Sequence, residues 1–208
     1  PFPSYVDWDG DKLPDLMLPN ITNRVFYYRN IGTRQEPKFG PRQQVIVDDY
    51  PETAETLAAT AKLLGAGTQK WGKRMFDPNS PFGWRARAGF ADFNGDGLMD
   101  MVHADGRTRN ASGYADQYAL FVQYRDDQGQ RKLRRDQVIT MPDGQPLKGP
   151  GGITSQAIPA DWDQDGLIDL ICHMGPSNTK CQPMFARNIG TKSDPRFDHP
   201  KPLALWGE

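Results

Sequence analysis

No apolar run in this chain approaches the roughly 20 residues that cross a bilayer, which excludes a membrane-spanning helix. The opening, Pro-Phe-Pro-Ser-Tyr-Val-Asp, has no methionine and no charged start leading into an apolar segment. It reads as a processed or trimmed product, so the start carries no information on export. Neither sign of charge dominates: 25 Lys and Arg stand against 26 Asp and Glu, for a net charge of −1. The basic residues form no stripe interleaved with aromatics, which argues against a nucleic-acid surface. The motifs G-x-S-x-G, H-E-x-x-H and C-x-x-C are all absent, and with them the common hydrolase, zinc-protease and redox signatures. A near-match to a phosphate-binding loop fails as well. Gly67, Gly72 and Lys73 have its spacing, but Arg74 replaces the required Ser or Thr, and a helical pattern precedes it where a strand belongs. Cysteine is scarce. Cys172 and Cys181 flank a hairpin-sized connection, and either a disulfide, suited to an extracellular or periplasmic home, or two buried thiols fits.

What is abundant is punctuation. Glycine (21) and proline (18) reach roughly half again their usual share, so turns are frequent, and 208 residues with 37% hydrophobic content suit one globular domain. Three acidic loops stand out. They read D-x-D-x-D-x-x-x-D from Asp7, D-x-N-x-D-G-x-x-D from Asp92 and D-x-D-x-D-G-x-x-D from Asp161. Alternating acidic side chains on a tight loop can converge on a hard cation such as Ca²⁺, which takes six to eight oxygens. The expected ligands are Asp7, Asp9, Asp11 and Asp15; Asp92, Asn94, Asp96 and Asp100; and Asp161, Asp163, Asp165 and Asp169. The backbone carbonyls of Leu13, Leu98 and Leu167 complete the sets, for up to three ions. An EF-hand needs Glu at position 12, where this chain has Leu18, His103 and Cys172. Lys12 replaces the turn glycine in the first loop and weakens that site. Three bound divalent ions would move the net charge from −1 to +5, a mildly basic surface.

Each acidic loop lies between two short apolar runs, so it joins the strands of a hairpin. A second motif, R-N-I-G-T-x-x-x-P-[KR]-F, follows at Arg29 to Phe39 and again at Arg187 to Phe197, with a degenerate version in the middle unit. The unit is therefore strand, acidic loop, strand, strand, polar turn, strand. Its repetition predicts an all-β fold, a β-propeller of four-stranded antiparallel blades. The blades fall at 1–48, 85–141 and 151–208, and an insertion at 49–84 carries one helix, Pro51 to Gly65, that packs on the propeller or serves as a lid. About three blades do not close a ring, so the chain reads as a segment of a larger propeller of about six to eight blades, the others lying in the same or another chain.

The acidic loops and blade pattern resemble the FG-GAP or VCBS repeats of calcium-binding propellers, including those of integrin α chains. "FYYRNIGTRQEPKF" is more narrowly similar to blades of polysaccharide lyases, in particular the rhamnose–glucuronate lyase group. That resemblance implies a secreted carbohydrate-active protein that cleaves an acidic, uronate-containing polysaccharide by β-elimination. It implies His103 or His173 as base or acid, with Arg107, Arg109, Tyr114 and Lys180 on the substrate. These residues follow the strand that leaves each acidic loop, so they gather on the face opposite the loops. The alternative is a non-catalytic adhesion propeller that binds a glycan or glycoprotein.

Overall fold

The computed structural model describes residues 3–19, 24–47, 53–55, 58, 88–104, 117–147, 157–174 and 182–203. Among them, twelve strands form three four-stranded antiparallel sheets. The first holds β1 (Ser4–Val6), β2 (Asp15–Pro19), β3 (Val25–Tyr28) and β4 (Gln43–Gln44) in chain order. The second holds β5 (Gly89–Ala91), β6 (Asp100–Ala104), β7 (Tyr118–Arg125) and β8 (Arg131–Val138). The third holds β9 (Ala157–Ala160), β10 (Asp169–Met174), β11 (Gln182–Ala186) and β12 (Lys201–Pro202). The expected repeat unit is the observed one. Of the insertion, Ala54, Glu55 and Ala58 are helical, and most of the expected helix lies outside the described residues.

All three acidic loops sit in hairpins of the same register. Val6 pairs with Asp15, Ala91 with Asp100 and Ala160 with Asp169. The R-N-I-G-T motif folds the turn between the third and fourth strands. Asn30 Oδ1 accepts hydrogen bonds from the Gly32 and Lys38 amides at 2.9 and 3.2 Å, and its amide nitrogen reaches the Pro14 carbonyl oxygen at 3.3 Å. Asn188 repeats this with Gly190, Arg196 and Ile168. A side chain at Gly32 would meet the Glu36 carbonyl oxygen at 2.3 Å, which fixes glycine there by close approach.

The sheets stack in chain order, β1 against β5 and β5 against β9. Trp8 of the first loop packs edge-on against Phe90 of the second sheet, centroids 6.1 Å apart, in a core that includes Met17, Tyr27, Phe121 and Leu133. Phe93 of the second loop enters a second core with Leu170, Cys172 and Phe197 of the third sheet. The terminal sheets lack such cover among the described residues. Trp162, at the position of Trp8, is 54% exposed against 3%, although it keeps its neighbour Phe185 on its own sheet. Tyr5, at the position of Phe90, is 63% exposed against 9%. Phe39 is likewise exposed where Phe197 is buried. The same repeat positions are therefore core inside the stack and solvent-facing at its ends.

Candidate metal centres in the acidic loops

The ninth position of each loop is fixed by burial. Asp15, Asp100 and Asp169 are wholly buried, and each accepts two backbone N–H bonds. One comes from the second loop residue: Trp8, Phe93 or Trp162, each at 3.0 Å. The other comes from across the third strand: Asn30 at 2.7 Å, Gln123 at 2.9 Å and Asn188 at 2.8 Å. This aspartate ties the loop to its own hairpin and to the next strand. Burial pushes the Asp15 carboxyl up against those N–H bonds, and it takes Asp100 up to about 6, with Asp96 and Asp92 adding repulsion.

The first position organises the turn. Asp7 accepts from the Gly10 and Lys12 amides, Asp92 from Gly95, Asp96 and Gly97, and Asp161 from Gly166. The fifth position holds the seventh: the amides of Leu13, Leu98 and Leu167 donate to Asp11, Asp96 and Asp165 at 2.8–2.9 Å. Lys12 and Gln164 adopt positive φ, of 69° and 61°, a region that disfavours residues with a Cβ.

Two of the loops bring carboxylates together as a metal site requires. Asp7, Asp9 and Asp15, and Asp161, Asp163 and Asp169, each offer oxygens within 4.8 Å of one another, so each triad can hold a metal ion. An all-oxygen donor set suits a hard cation. The fifth-position carboxylates stand outside these triads, and in both loops one arginine bridges the third and fifth positions. Arg29 meets Asp9 at 2.6 Å and Asp11 at 3.0 Å; Arg187 meets Asp163 at 2.5 Å and Asp165 at 2.9 Å. The Leu13 amide and then Arg29 hold the Asp11 carboxyl below its usual range. In the second loop the residue level with Arg29 is Val122, and Asn94 donates to Asp96 at 2.9 Å. These arginines, the first residues of the repeated R-N-I-G-T motif, contact the acidic loops, a role that sequence reasoning passed over. Their recurrence beside the two four-aspartate loops was the available signal.

The catalytic candidates fare differently. His103 lies on β6, 2% exposed, its Nδ1 2.9 Å from the Ala104 carbonyl oxygen. The hairpin registers set His103 level with Cys172 and His173 level with Ala104, so the two histidines are one residue out of step. Arg107, Arg109, Tyr114 and Lys180 lie outside the described residues. Cys172 is a buried thiol, pushed up by burial to about 12, and its expected disulfide partner Cys181 lies outside the described residues. No helix among the described residues is long and apolar enough to cross a membrane. Compared with known proteins, the chain matches no family model, and no curated protein matches it.

Proposed function

We propose that the three sheets are consecutive blades of a calcium-stabilised β-propeller, part of a secreted protein that acts on an acidic polysaccharide. The observation that carries the propeller reading is the change in burial at equivalent positions. Trp8 is covered by the next sheet while Trp162 is open, and Phe90 is covered by the preceding sheet while Tyr5 is open. A stack whose two end faces continue its internal interfaces is completed by more of the same units, and ring closure removes exposed ends. The oxygen-only triads support calcium as the ion, which would brace the hairpins rather than touch substrate.

The glycan chemistry is β-elimination. A cationic group neutralises the uronate carboxylate, which acidifies the neighbouring C–H; a base takes that proton, the C–H pair becomes a carbon–carbon double bond, and the C–O bond breaks as an acid or water protonates the leaving glycosidic oxygen. His173 is the better candidate base of the two histidines, because burial of His103 inside the second sheet suits packing. That burial also favours a second reading, a propeller that binds a glycan without cleaving it. The experiment is to incubate the full native protein with glucuronate-rich polymers, with calcium and then with a chelator. Ultraviolet absorbance from a new double bond conjugated to a carboxylate is followed. A rise lost in His173→Ala supports the lyase; no rise with glycan binding intact supports the binding module.

A further inference from the structure

We propose that the cleft between the first and second sheets is a binding site for one anionic sugar residue, a uronate, whose carboxylate Arg125 and Arg131 hold. The identity of the anion rests on the acidic-glycan reading above, whereas the charge and shape of the cleft stand without it. The cleft encloses about 320 Å³ beside the first acidic loop. That is the low end of small-ligand pockets, about 300–1,000 Å³, and it has room for a single hexuronate.

Its charge is unbalanced. Three arginines, Arg29, Arg125 and Arg131, line it with one carboxylate, Asp9, which Arg29 already pairs. The β7–β8 register sets Arg125 directly opposite Arg131, an arrangement that costs stability because like charges repel across a ladder. Neither has an ion-pair partner among the described residues. Arg131 bonds only neutral acceptors, Gln123 Oε1 at 2.7 Å and the Asp9 carbonyl oxygen. A planar carboxylate between two guanidinium forks removes that repulsion and takes up N–H donors that the protein leaves open. The Gln130 amide can serve sugar hydroxyls with both donors and an acceptor.

The test is calorimetric titration of the full native protein with D-glucuronate, glucose and inorganic sulfate, on the wild type and Arg125→Glu. Arg125 is exposed and its replacement faces Arg131, so this variant should fold with a thermal midpoint at or slightly above that of the wild type. The expected result is glucuronate binding that glucose and sulfate match only roughly tenfold more weakly or worse. Arg125→Glu should lose roughly tenfold or more of it, and Arg125→Lys should recover part. Equal glucuronate binding by wild type and Arg125→Glu, or none by either, overturns the site. Sulfate binding as tight as glucuronate overturns the sugar assignment. Glucuronate binding lost in Arg125→Glu, in a protein that cleaves no uronate polymer, keeps the cleft and removes the lyase. A lyase whose Arg125→Glu variant binds and reacts like wild type does the reverse.

Discussion

The first and third acidic loops differ from the second in a correlated way. Where the third loop position is aspartate, an arginine stands on the neighbouring strand, Arg29 or Arg187, and bridges positions 3 and 5. Where the third position is Asn94, the matching residue is Val122, and among the described residues no arginine ion pair to the loop is seen. Counting only the loop aspartates and that arginine, each loop carries three net negative charges. The ninth aspartate is indifferent to this exchange and makes the same two bonds in all three. The repeat thus separates two tasks: one carboxylate holds the fold, and the others set the charge that a cation meets.

The largest effect should come from the shared task. Replacing Asp15 or Asp100 by Ala strands two buried backbone N–H groups, and replacing Asp169 strands one buried at Asn188 and one part-buried at Trp162. Each unmet buried donor costs about 1–3 kcal/mol, so the Asp15 and Asp100 variants should each lose about 2–6 kcal/mol in urea unfolding without metal, and the Asp169 variant less. A much smaller loss for Asp100→Ala would break the claim that the second loop keeps the same pin.

Next is pH, in protein stripped of metal. Asp100 titrates near 6 when folded and near 3.8 when unfolded, so the folded state holds its proton more tightly. Stability from this group is complete below pH 4 and is lost as pH rises through 6. The shift corresponds to at most about 3 kcal/mol. Asp15, also raised by burial, adds in the same direction. The urea midpoint should fall between pH 4 and 7 with chelator present, and calcium should flatten the fall. A midpoint that rises over this range would contradict the burial argument.

Much of this was legible in the sequence because Asp and Gly at fixed spacing mark a turn, and the apolar runs beside them mark strands. The hairpins around Asp7, Asp92 and Asp161 are where the repeat put them. Arg29 was not legible as a loop residue, since its reach depends on the β2–β3 register, Leu16 opposite Tyr28, which sequence spacing does not state. His103 and His173 lie three and four residues past the last loop aspartate, and in a strand one residue of offset is a change of face. Nor did Trp8 and Trp162 differ until the neighbouring sheet, or its absence, decided their burial.

A third and smaller effect concerns calcium affinity. Arg29→Ala and Arg187→Ala remove a competing cation from their loops and should tighten calcium there by about two- to fivefold, within the 1 kcal/mol that a part-exposed pair supplies. The second loop should not respond to either. Asn94→Asp should tighten the second loop alone, because it adds a carboxylate with no arginine to offset it. Calorimetric titration of the variants resolves these shifts, and equal tightening at all three loops would show that the arginines act only through net charge.

The smallest effect discriminates best. A double-mutant cycle of Arg29→Ala and Asp9→Asn isolates the pair at 2.6 Å. The guanidinium is half exposed, so the coupling energy without calcium should be about 0.5–1 kcal/mol. With calcium bound, Asp9 has a divalent partner and the coupling should shrink toward zero, because the ion and the guanidinium compete for the same oxygens. Coupling that survives calcium would mean that arginine and ion share the carboxylate. The first and third loops would then be sites built around a cation pair, and their difference from the second would lie in geometry rather than charge.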